Sequence, residues 1–95
     1  MEIKDYVVGD ENLDNTVLVF GAIWCGPCKM YKAGALAEVA STTDIQIIYV
    51  DVDSNPDVVA LAGVSSVPTT LITLNGRAIP LNGPQTAETI TAYFA

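Results

Sequence analysis

Cys25 and Cys28 are the only cysteines of the chain, and they stand three residues apart in Trp24-Cys25-Gly26-Pro27-Cys28-Lys29. Two thiols at i and i+3, at the start of a helix, are close enough to close a small disulfide ring, with Gly26 and Pro27 shaping the turn. Cys25, on the outer end, would face the free amide N–H groups and the positive end of the helix dipole, which favours its thiolate. Cys28 would lie one turn inside and be more shielded. Such a pair divides the steps of a redox reaction. Cys25 attacks a substrate disulfide to make a mixed disulfide, and Cys28 then attacks Cys25 and releases the reduced substrate.

Two other uses of the pair are weaker. A structural bridge across so short a loop constrains little of the unfolded chain, and an intracellular compartment would tend to reduce it. A metal centre would have only half of a tetrahedral donor set, since there is no third cysteine and no histidine. No metal site is therefore expected. The missing histidine also removes His-based acid-base chemistry and Ser-His-Asp or Cys-His nucleophiles.

The elements that must hold this pair can be read from the apolar pattern. Thr16 to Phe20 and Ile45 to Val50 are nearly continuous runs of apolar and β-branched residues, as in strands covered on both faces. Between them, Cys25 to Ser41 is rich in helix formers and long enough for a right-handed crossover between parallel strands. The cysteines thus fall at a strand-to-helix junction. Ser54-Asn55-Pro56-Asp57 reads as a turn leading into a short helix through Leu61, closed by Gly63. Thr69 to Leu74 and Arg77 to Leu81 flank Asn75-Gly76, a hairpin signal. Gly83-Pro84 then introduces a last helix with Ala87, Ile90, Thr91 and Phe94 on one face. Ile3 to Val8 is expected as a short strand, with an amphipathic helix through Ile3, Tyr6 and Val7 as the alternative. Gly9 to Asn15 is too short for a helical crossover to an adjacent parallel strand, so any first helix is vestigial.

The chain has 95 residues, 51% of them hydrophobic and 16% charged, which suits one domain over residues 1 to 95. No apolar run is long enough to span a membrane, and the first residues lack a signal-peptide pattern. A cytoplasmic protein with no membrane partner is the expectation. Eleven acidic against four basic residues give a formal charge of −7, with Glu2, Asp5, Asp10, Glu11 and Asp14 near the amino terminus. That balance argues against nucleic acid as a partner, because no Lys/Arg cluster exists to neutralise phosphates.

Trp24-Cys25-Gly26-Pro27-Cys28-Lys29, followed by Val67-Pro68-Thr69, resembles the thioredoxin family from about Thr16 to the carboxyl terminus. Val50-Asp51-Val52-Asp53, Asn75-Gly76 and Gly83 arrive in the family's order. The resemblance implies an α/β fold: a three-layer α/β/α sandwich around a mixed four- to five-stranded sheet, with the first helix short or missing. It implies Cys25 as attacking thiol, Cys28 as resolving thiol, Gly26 and Pro27 as the pair that helps set reducing power, and a cis bond before Pro68. It further implies a shallow substrate surface formed by Trp24, Val67, Pro68 and Gly83, with Val67 pairing through its backbone to an extended peptide. The implied activity is reduction of protein disulfides by a monomer with no bound cofactor, recharged by an NADPH-dependent thioredoxin reductase or similar enzyme. A glutathione-coupled, glutaredoxin-like reductase and a binding module with incidental redox activity are the alternatives.

The sequence departs from the family at several places. The usual buried carboxylate on the strand entering the site corresponds to Val19, and its usual lysine partner to Tyr49. Loss of both predicts a resolving step that is slower or depends on water, with Tyr49 a weak substitute for the carboxylate. Gly21 stands where an aromatic is common, which predicts looser packing under the turn. Ala33-Gly34 replaces a frequent kinking proline, which predicts a helix straighter or weaker at Gly34.

Overall fold

A computed structural model describes residues 2–9 and 13–95. The elements are β1 (Ile3–Asp5), β2 (Thr16–Gly21), α1 (Gly26–Ala33), α2 (Ala35–Thr42), β3 (Gln46–Asp51), α3 (Pro56–Ala62), β4 (Thr69–Leu74), β5 (Arg77–Asn82) and α4 (Ala87–Ala92). The strands form one mixed sheet in the order β1-β3-β2-β4-β5. The β1, β3 and β2 strands run parallel, and β4 and β5 continue the sheet antiparallel.

The two unbroken apolar runs are the two inner strands, and all six residues of β2 are buried. Val17, Val19 and Ile47 face one side and pack with Tyr31, Leu36, Val39, Ala40 and Ile90 from α1, α2 and α4. Leu18, Phe20, Ile48 and Val50 face the other side, against Val58, Val59 and Ala62 of α3 with Tyr6, Leu13 and Val64. Helices on both faces give the expected three layers. Burial of each large aliphatic side chain contributes roughly 1.5–3 kcal/mol, so the two-sided strand is the energetic centre of the sheet.

The hairpin closes at Asn75-Gly76, both with positive φ (54° and 75°), as a two-residue turn of matching twist requires. Gly63 closes α3 in the left-handed conformation at φ 69°, its N–H reaching the carbonyls of Val59 and Ala60.

Three local expectations are changed or narrowed. The first strand ends at Asp5 rather than Val8, although Tyr6 N–H adds one more bond to the Tyr49 carbonyl (2.9 Å). Because β1 pairs with β3 rather than β2, its connection needs no helix to return to an adjacent strand. Residues 10–12 of that connection, with Asp10 and Glu11, lie outside the described residues, as does Met1. Of the two outcomes expected at Gly34, the helix is weaker there rather than straighter: Gly34 (φ −103°, ψ −99°) separates α1 from α2. Its N–H still donates to Met30 O and its carbonyl still accepts from Glu38 N, so the break costs little hydrogen bonding. The last helix begins at Ala87, capped by the Thr86 hydroxyl on Thr89 N–H (3.0 Å), and Tyr93 joins Ala87, Ile90 and Phe94 against the core.

Candidate functional site

The β2 strand delivers the chain to Gly21, and a tight turn with Cys25 N–H bonded to Ala22 O (3.1 Å) leads into α1. Cys25 is the N-cap residue of α1, and its sulfur accepts the Cys28 N–H at 3.2 Å. Gly26 opens the helix and Pro27 sits in its first turn, where a missing N–H costs nothing. Cys25 and Cys28 are joined in a disulfide, with Cα atoms 5.3 Å apart. Their burial differs in the expected sense: Cys25 is 6% exposed, Cys28 0%. Cys25 is thus the less enclosed of the two residues.

Val67 and Val52 pack against Ala22, Cys25 and Cys28, which places the β3-α3 and α3-β4 connections beside the disulfide. The Val67-Pro68 bond is cis, as expected from the resemblance, and Pro68 is buried. Gly83 N–H donates to Pro68 O (3.0 Å), so the predicted contact residues Trp24, Val67, Pro68 and Gly83 belong to one region. An apolar groove of about 230 Å³ runs between Trp24, Val52, Val59, Val64 and Val67.

Several supporting residues are not evident from the sequence. Trp24 is 69% exposed, yet its indole N–H donates to Asp53 Oδ2 at 2.9 Å, which orients the ring beside Cys25. Ile23 and Met30 are also exposed. On the inner side, the Tyr31 and Thr70 hydroxyls share a hydrogen bond (2.8 Å), and Thr70 Oγ1 also lies 3.3 Å from Gly83 O. This chain of bonds ties α1 to β4 and to the Gly83 loop. Burial raises the Tyr31 phenol above its ordinary range, opposed by its Thr70 bond. An aromatic at the helix position three after Cys28 is the only sequence signal for it.

The space under the turn is filled, contrary to the expectation from Gly21. A Cβ on Gly21 would stand 2.0 Å from the Tyr49 hydroxyl, 2.6 Å from its Cζ and 3.3 Å from Cys28 Cβ. The Tyr49 side chain therefore lies across Gly21, in the place an aromatic at position 21 would take. Lys32 Nζ sits 4.5 Å from the ring centroid and 4.0 Å from Asp5 Oδ1. Tyr49, Lys29, Lys32 and Asp51 line a cavity of about 470 Å³ on this side of the site. Among the described residues no group of three or more His, Cys, Asp or Glu could hold a metal ion, and no helix is long and apolar enough to cross a membrane.

A family model described as Thioredoxin matches residues 5–95. A thioredoxin of Listeria monocytogenes is 37% identical over 95 residues, covering 97% of this chain and 84% of that protein. The oxidised thioredoxin of Plasmodium falciparum superposes with a TM-score of 0.83 at 28% identity, covering 99% of this chain and 100% of the other. Oxidised mitochondrial thioredoxin 3 of Saccharomyces cerevisiae gives 0.78 at 26%, covering 95% and 92%.

Proposed function

This chain belongs to the thioredoxin family, a dithiol oxidoreductase with Cys25–Cys28 as its redox-active disulfide, and we propose that its two sulfurs hold distinct roles. Cys25 attacks and Cys28 resolves. The observation that carries this is the N-cap position of Cys25: in the reduced protein its thiolate would keep the Cys28 N–H and the helix terminus as counter-charge. The thiolate attacks a substrate disulfide, a Cys25-substrate bond forms, and one substrate sulfur leaves as thiolate. Cys28 then attacks Cys25 and expels the second.

Gly26 and Pro27 hold the turn that sets this spacing. The substrate is a protein disulfide presented on an extended segment, which pairs with the backbone at Val67 and lies over Trp24, Pro68 and Gly83. The groove beside Trp24 and Val67 supports an apolar side chain next to the substrate cysteine. Electrons return from an external NADPH-dependent reductase, and the protein works as a cytoplasmic monomer over a single domain of residues 1 to 95.

Insulin reduction by dithiothreitol tests the assignment. The wild type accelerates it, Cys25→Ser abolishes the acceleration, and Cys28→Ser accumulates a covalent Cys25 adduct with insulin. An adduct formed by Cys25→Ser instead would reverse the roles. Wild type no faster than dithiothreitol alone, with partner binding that survives both substitutions, would favour a binding module.

A further inference from the structure

Cys28 is fully buried, and a thiol must lose its proton before it attacks a disulfide. Burial in apolar surroundings opposes that loss. Val19, which precedes this point on β2, is buried and carries no acid or base. The ionisable side chain of β3 that reaches this point is Tyr49. Its hydroxyl and Cys28 Cβ both crowd the same point above Gly21, so the two can be no further apart than the 2.0 Å and 3.3 Å legs together. The other side of the phenol opens on the 470 Å³ cavity, where Asp5 of β1, Lys29 and Lys32 of α1 and Asp51 of β3 face it. Tyr6 is the remaining ionisable group there.

We propose that the Tyr49 hydroxyl relays the Cys28 proton to water in this cavity, and that Gly21 is the positioning residue which leaves room for it. The proposal rests on Cys28 being the resolving thiol. The step balances without an added reagent. As the Cys28 S–H proton passes to the phenol oxygen, the phenol's own proton passes to cavity water. The Cys28 thiolate then bonds to Cys25 sulfur, and the electron pair of the broken Cys25-substrate bond leaves on the substrate sulfur. A relay suits this phenol better than a base. Burial first, and the Asp51 charge second, hold its acidity above the ordinary range, so it is protonated at neutral pH. Lys32 over the ring fixes its orientation without consuming the hydroxyl.

The test is single-turnover resolution of the mixed disulfide, followed by Trp24 fluorescence and acid trapping. Tyr49→Phe keeps the ring and removes the hydroxyl. Resolution should slow about 100-fold, the lower end of general acid-base effects, while formation of the mixed disulfide keeps its rate. In parallel, 3,5-difluorotyrosine at position 49 acidifies the phenol and should shift the pH profile of resolution to lower pH. A Tyr49→Phe protein that resolves at the wild-type rate overturns the relay. So does an unmoved profile in the fluorinated protein, even if Tyr49→Phe is slow, since that assigns Tyr49 to packing alone. Either failure leaves Cys28→Ser trapping, and hence the dithiol assignment, intact.

Discussion

Gly21→Ala should destabilise this protein, although the same change in a strand ordinarily does the reverse. Alanine in place of a strand glycine gains roughly 0.5–1 kcal/mol through lower chain entropy. At Gly21 the added methyl would overlap the Tyr49 hydroxyl at 2.0 Å and Cζ at 2.6 Å, far inside contact distance. Overpacking of a filled site costs about 1–3 kcal/mol. Tyr49 borders an open cavity and can swing partly into it, which holds the cost near the middle of that range. The net loss is therefore about 1 kcal/mol, or roughly 4–8 °C in Tm for a domain of this size. With Tyr49→Ala the obstruction is gone, and Gly21→Ala becomes stabilising by about 0.5 kcal/mol. Urea unfolding of the four oxidised proteins of this cycle gives the coupling, expected at about 1.5 kcal/mol. Gly21→Ala effects of equal sign and size in both backgrounds would refute the coupling of the two positions.

Thr70→Val should cost about 1–3 kcal/mol in urea unfolding, because it removes the bonds to the Tyr31 hydroxyl and to Gly83 O and leaves that buried hydroxyl only the Gln85 backbone; Tyr31→Phe in that background should recover part of the loss. Ile90→Ala, which empties a fully buried position between α4 and the sheet, should cost about 2–5 kcal/mol by the same measurement. The raised Tyr31 and Tyr49 phenols give a direction in pH. The folded state holds these protons more tightly than the unfolded state, so their contribution is fully present below about pH 10 and is lost as pH rises through the folded values. The urea midpoint should fall as pH rises above about 10, and less steeply in Tyr31→Phe.

The inner sheet was legible because its signal is local. Unbroken apolar runs at Thr16 to Phe20 and Ile45 to Val50 imply cover on both faces, and helices lie on both. Asn75-Gly76 and Gly63 were equally legible, since each imposes a backbone conformation that few other residues adopt. The ends were harder. Gly83-Pro84 marks a turn, but the helix starts only where the Thr86 side chain can cap it. At the first strand the apolar residues run past the pairing: Val7 and Val8 are 65% and 82% exposed, so hydrophobicity alone overstated its length.

At the site, the residues that touch the disulfide were visible as a motif, whereas those that shape its underside were not. Gly21 reads as a hole and Tyr49 as a lost lysine position while each is taken alone. Parallel pairing of β2 with β3 places Val19 beside Tyr49 and Gly21 beside Asp51. The Tyr49 ring then reaches two pairs forward, across Gly21 and toward Cys28. An aromatic on β2 and a cation on β3 have in effect been exchanged for a glycine on β2 and an aromatic on β3. The void is closed and no buried charge is left unpaired, which would cost several kcal/mol. The exchange also changes the chemistry under the resolving sulfur, from a carboxylate to a phenol. A family motif preserved in full can thus stand over an altered proton path, and only the strand register reveals it.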